Sequence, residues 1–171
     1  PMLIVIEGCI GAGKSTIAHG LAAFRKSEAL IESFESNPFL TAFYQNPVAH
    51  ATETEFTFLL LHFHQLKNHP GVILKRELIS DFHIGKDLLY ADLNLGDART
   101  HRVFNELYDL LVEQLPKPAL MICLSASTEL LLDRIRRRNR DIELKIDPAY
   151  YARINAAYES FFARYDGRKL K

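Results

Sequence analysis

The residues best suited to chemistry are Gly8-Cys9-Ile10-Gly11-Ala12-Gly13-Lys14-Ser15, which fit G-x-x-x-x-G-K-[ST] and are followed by Thr16. Glycines let a backbone curl until successive N–H groups converge on one concavity, and a helix beginning at the lysine adds its positive end, so the stretch suits phosphate. In this motif the lysine reaches the β- and γ-phosphates and the hydroxyl ligates Mg²⁺; Gly8 through Thr16 are therefore the expected ATP contacts, Lys14 a catalytic cation and Ser15 a metal ligand. A plain glycine-rich turn would need neither the apolar segment before it nor the helical pattern after it. A G-x-G-x-x-G dinucleotide fingerprint is excluded by the threonine at position 16. Two acids accompany the loop. Asp81 closes the apolar segment ELISD, the place of the acid that holds Mg²⁺ in phosphate-loop enzymes. Glu32, in ALIES, is a second carboxylate able to accept a proton from an attacking hydroxyl. Either acid could instead cap a following turn.

These residues meet only if the chain brings them to one edge of a sheet. Residues 2–7, 29–33, 77–81 and 119–125 are apolar without alternation, as expected of parallel strands covered on both faces. Helical patterns begin within GKSTIAHGLAAF, run over about 53–68, 98–114 and 127–139, and resume after Asp147-Pro148, where the acid caps and the proline fits the first turn. This alternation predicts a P-loop three-layer α/β/α domain with a parallel sheet, whose strand ends deliver Glu32 and Asp81 beside the loop. The basic run from Arg134 to Arg140 is either a solvated helix face or an arginine-rich lid over about 134–146. The terminal KLK would open one more strand, and a C-terminal piece is expected to be missing.

With 171 residues, 48% of them hydrophobic, the chain suits one domain over 1–171. Lys and Arg number 21, as do Asp and Glu, so no basic field favours nucleic acid or an anionic membrane; the expected partner is small. No apolar run approaches a membrane span and no secretory leader is evident, and two cysteines suggest neither a disulfide framework nor a metal cluster. The expected location is cytoplasmic, with a mitochondrial matrix as the alternative.

IEGCIGAGKST, IESFESNPFLTAFYQNP, SDFHIGKDLLYADL and RIRRRNRDIE, in this order and spacing, resemble the deoxyribonucleoside kinase family, most of all its short bacterial branch, over nearly the whole chain to about Tyr165. The resemblance implies phosphoryl transfer from Mg²⁺-bound ATP to the 5′-hydroxyl of a deoxynucleoside, in a homodimer. Glu32 would be the general base, Tyr44 and Glu143 would hold the sugar 3′-hydroxyl, Arg134, Arg138 and Arg140 would clamp the transferred phosphate, and Asp87 would lie at the base edge. Phe39 and Phe58 would flank the base.

The chain also departs from the family pattern. Phe82 stands where the family often has an arginine beside the acid. Where a base-reading glutamine and a later arginine are expected, this chain has Glu55 and His62, with Glu53 as a competing alignment. An ionised glutamate only accepts hydrogen bonds, so Glu55 would suit guanine, whose N1–H and 2-amino group are adjacent donors; adenine and cytosine each confront it with an acceptor. Deoxyguanosine is thus the expected substrate, unless Glu55 is paired with His62 and reads nothing. The rivals are a nucleoside monophosphate kinase, such as a thymidylate kinase, and a phosphate-loop protein that binds nucleotide without turnover. An N-K-x-D segment for a GTPase is absent.

Overall fold

The computed structural model describes residues 2–171. Among them the chain forms the strands β1 (Leu3–Gly8), β2 (Glu28–Leu30), β3 (Leu78–Ser80), β4 (Leu120–Leu124) and β5 (Lys169–Leu170), paired in the order β2-β3-β1-β4-β5. Every pairing is parallel, with Ile4 opposite Ile79 and Val5 opposite Met121. The helices are α1 (Lys14–Arg25), α2 (Leu40–Gln45), α3 (Pro47–Lys67), α4 (Pro70–Ile73), α5 (Lys86–Asn94), α6 (Ala98–Val112), α7 (Thr128–Arg138), α8 (Asp141–Leu144) and α9 (Pro148–Arg164).

Central β1 is buried throughout, which explains why it shows no polar alternation. Ile4 and Ile6 face one side, where Ala18 and Ala22 of α1 cover them. Leu3 and Val5 face the other, against residues of α3, α5 and α6, while Met121 and Cys123 of β4 meet Tyr151, Ile154 and Tyr158 of α9. β4 is less enclosed than its sequence suggests, since alternate residues are only half-buried. The strand expected from KLK is β5, on the β4 edge.

Several element boundaries differ from the expectation. α3 begins at Pro47, well before residue 53, because Asn46 caps it by accepting from the Ala49 N–H and proline occupies the first turn. β2 ends at Leu30, because beyond it the Glu32 N–H donates to the Asp81 side chain instead of to a ladder partner. α2 and α5 were not anticipated; each is short, and neither has a side-chain N-cap.

Strand order reverses between β1 and β3, since the chain crosses from β1 past β3 to β2 and from β3 past β1 to β4. Such a switch point opens a crevice at the carboxyl ends of the strands. Gly8 ends β1 there, packed so closely on β4 that a Cβ would lie 2.8 Å from the Leu124 carbonyl oxygen. Gly8→Ala should therefore lower unfolding stability by ~1–3 kcal/mol through overpacking, read as an earlier urea midpoint. An unchanged midpoint would show that β4 yields at no cost.

Candidate active site

The loop between β1 and α1 closes on itself through the Ala12 N–H, which donates to the Cys9 carbonyl at 3.0 Å. Gly11 and Gly13 take φ of 85° and 96°, values that L side chains rarely adopt, so both glycines are required by the curl. Ile10, Gly11, Gly13, Lys14, Ser15 and Thr16 line a cavity of about 330 Å³ at the crevice. Gly8, Cys9 and Ala12 form the frame behind it. The Cys9 thiol is buried, and burial pushes its pKa up to about 11, so its contribution is its backbone. Lys14 Nζ donates to the Gly8 carbonyl at 2.7 Å, folded within the loop's own mouth.

Asp81 joins the loop to the second strand end. One carboxylate oxygen accepts from Ser15 Oγ at 2.5 Å and the other from the Glu32 N–H at 2.8 Å. Glu32 and Asp81 thus converge on the same cavity as the loop. Hydroxyl and carboxylate side by side fit Mg²⁺, which takes few protein ligands and completes its shell with phosphate oxygens and water. No group of three His, Cys, Asp or Glu able to hold a metal occurs among the described residues.

Glu32 is held by two cations. Lys86 Nζ donates to both its oxygens at 2.8 Å, and His62 Nε2 donates to Oε1 at 2.9 Å. The other His62 nitrogen lies 2.8 Å from both oxygens of Asp87. Burial works to raise the Glu32 pKa, but Lys86 and His62 more than offset it and hold the carboxyl well below the usual range. Burial likewise opposes a charged His62, yet Asp87 and Glu32 raise its pKa to about 9, so the imidazolium donates in both directions. Lys86 and Asp87 reach this chain because α5 starts at the crevice, with both side chains buried.

Tyr44, Glu55, Phe58 and Asp87 also line the cavity. Phe58 lies nearly parallel to His62, ring centroids 5.5 Å apart. Phe39 falls outside: it flanks the start of α2, is exposed and does not line the cavity, which corrects its expected place beside the base. Glu53 is also outside, paired with His50. Glu55 Oε1 accepts from Asn94 Nδ2 at 2.9 Å, and Asn94 also exchanges hydrogen bonds with the Tyr150 hydroxyl. Oε2 of Glu55 is buried with no partner. Here the expectation of an ionised acceptor is corrected, because burial pushes the Glu55 pKa up to about 8 against the opposing Asn94 hydrogen bond. His62 belongs to Asp87 and Glu32, not to Glu55.

The basic run splits. Arg138 and Arg140 line the cavity and both reach Glu143, Arg138 in a bidentate pair with its closest contact at 2.7 Å. Arg140 also lies over the Phe34 ring. Arg134 does not line the cavity; its Nη1 donates at 3.4 Å to the carbonyls of Gly11 and Ala12, so it braces the loop from α7. Arg136 and Arg137 are exposed.

Lys86 went unnoticed in the sequence. Its signal was a lysine four residues beyond Phe82, which stands where the resemblance implies an arginine; Phe82 itself is fully buried, its ring 4.9 Å from that of His62.

A parallel sheet with this strand order, a phosphate loop and two acids at one crevice defines a phosphate-loop transferase. The family model for deoxynucleoside kinases matches residues 4–168, and the chain belongs to the deoxynucleoside kinase family, ATP-dependent phosphotransferases. It is 35% identical over 158 residues to a deoxyguanosine kinase of Bacillus subtilis, covering 91% of this chain and 76% of that protein. It is 32% identical over 180 residues to a deoxyadenosine kinase of Lactobacillus acidophilus, covering 96% and 81%. Among solved structures, deoxyadenosine kinase of M. mycoides with dCMP and a flexible dCDP superposes with a TM-score of 0.86 at 28% identity, over 99% of this chain and 88% of that one. The same enzyme with dATP superposes with a TM-score of 0.84.

Proposed function

We propose that this deoxynucleoside kinase transfers the ATP γ-phosphate to the 5′-hydroxyl of deoxyguanosine in preference to the other deoxynucleosides. The observation that carries the reaction is the convergence of Glu32 and Asp81 on the cavity lined by the phosphate loop. Glu32 accepts the 5′-hydroxyl proton. Held ionised by Lys86 and His62, it is a weak base, which suits a loose transfer in which the hydroxyl becomes acidic only as its oxygen bonds to phosphorus. Lys14, the loop amides, Arg138 and Arg140 stabilise the charge spreading over the phosphoryl group, while Arg134 keeps the loop in shape. Ser15 and Asp81 would hold Mg²⁺, which supplies charge neutralisation on the phosphates. Tyr44 and Glu143 face the sugar, and Phe58 the base.

Once ionised, Glu55 favours deoxyguanosine, because guanine brings two adjacent donors to a carboxylate that has one oxygen without a partner. A monophosphate acceptor is disfavoured because the acceptor end presents Glu32, and both cations there are already committed to carboxylates. The apolar side chains Leu60 on α3 and Val103 and Leu110 on α6 are exposed and support the homodimer reading.

Initial rates with ATP, Mg²⁺ and each of the four deoxynucleosides at pH 8 test the assignment. Deoxyguanosine should lead in kcat/KM by at least ~10-fold, the equivalent of about 1.4 kcal/mol. Any other deoxynucleoside in first place would overturn the base assignment, and no turnover on any of the four would overturn the kinase reading.

A further inference from the structure

Glu55 is 2% exposed and lines the cavity from α3. The groups around it are Asn94, Asp87 and Lys86 from α5, Tyr150 from α9, Tyr44 from α2 and His62 from its own helix. Asn94 is its only hydrogen-bond partner among the described residues, and it donates a single N–H. Neither nearby cation touches it, since Lys86 is committed to Glu32 and His62 to Glu32 and Asp87. An ionised carboxylate here would be a buried charge without a counterion and with one oxygen bare. A neutral carboxyl group satisfies the empty site better.

The two purines ask different things of this group. Adenine offers its 6-amino donor beside the N1 acceptor, which matches a neutral acid that accepts through one oxygen and donates through the other. Guanine offers N1–H and the 2-amino group, two donors side by side, which match only the ionised form as a bidentate acceptor. We propose that deoxyguanosine binds by displacing the Glu55 proton to solvent whereas deoxyadenosine binds with that proton in place, so that pH sets the purine preference of the enzyme. Only the carboxyl O–H bond breaks, and no covalent bond to the base forms. The proposal rests on the deoxynucleoside kinase reading and on Glu55 meeting the base.

The sign follows from the empty site, where the Glu55 pKa stands at about 8. Below that value the form that takes deoxyguanosine becomes tenfold scarcer per pH unit, while the form that takes deoxyadenosine is already dominant. The ratio of kcat/KM for deoxyguanosine to that for deoxyadenosine should therefore rise about tenfold per pH unit, ~100-fold from pH 6 to pH 8. Titration of Glu32, His62 or any group that serves both substrates alike cancels in this ratio. Glu55→Gln has no proton to lose, and its ratio should be flat.

Calorimetry on the unmodified protein supplies a readout that does not depend on the variant folding. Titrations at pH 7 in phosphate and in Tris, whose ionisation enthalpies differ, should show most of a proton released per deoxyguanosine and far less per deoxyadenosine. Phosphorylation of both purines with a ratio that does not change with pH, or equal proton release for the two, would overturn the proposal and leave the kinase assignment standing. Turnover of thymidine or deoxycytidine with neither purine phosphorylated would overturn the proposal and the base assignment, and no turnover on any of the four would overturn the kinase reading as well.

Discussion

Glu32→Gln should lower kcat for deoxynucleoside phosphorylation by ~10²–10⁴-fold, the usual worth of a positioned general base. The substitution keeps the shape of the side chain and an oxygen for Lys86 or His62, so the deoxynucleoside KM should stay within about threefold of its original value. What disappears is the group that can accept the 5′-hydroxyl proton. It also leaves two buried cations facing an uncharged amide, and breaking a buried ion pair costs about 3–5 kcal/mol. Urea unfolding must therefore accompany the kinetics, and rates must be referred to the folded fraction. A folded glutamine variant with kcat within about threefold of the parent would show that the proton leaves by another route and that Glu32 serves only to hold Lys86 and His62.

How much of this site was legible beforehand depended on whether the information was local. The phosphate loop, Asp81 and the arginine run are each short segments whose residue types and flanks carry the meaning, and the strand ends follow from the parallel topology. β1 was also readable as a buried strand because it is apolar on both faces, whereas α5 was not. α5 opens with Lys86 and Asp87, charged residues that look like solvent-facing positions until their partners are known. Those partners lie far off in sequence: Glu32 is 54 residues from Lys86, and His62 is 25 from Asp87. Only the tertiary structure shows that a charge missing at position 82 returns at position 86. Glu55 failed differently. Its location at the cavity is as expected, but its charge state depends on burial and on the absence of a touching cation, neither of which residue type encodes.

Lys86→Met should do two separable things. Lys86 is 7% exposed and 2.8 Å from both Glu32 oxygens, so its loss leaves a buried carboxylate with His62 as its remaining charged partner and should cost about 3–5 kcal/mol of stability. Burial then acts on Glu32 with less opposition and its pKa rises. A carboxyl group that spends part of its time protonated is no longer a proton acceptor, and the hydroxyl it should orient loses a fixed neighbour, so kcat of the folded fraction should fall by at least ~10-fold. Lys86→Arg keeps the cation on a longer, planar head and should restore most of the stability while recovering less of kcat, because a guanidinium cannot occupy the same point midway between the two oxygens. The split between the two measurements is the decisive result. If Lys86 were only a structural counterion, stability would fall in the Met variant and recover in the Arg variant while the folded fraction of each turned over at the parent rate. Phe82 makes the catalytic reading coherent: its ring packs on His62, holding the imidazolium against Glu32 and Asp87. The Lys86 cation, four residues later at the start of α5, completes the clamp on Glu32.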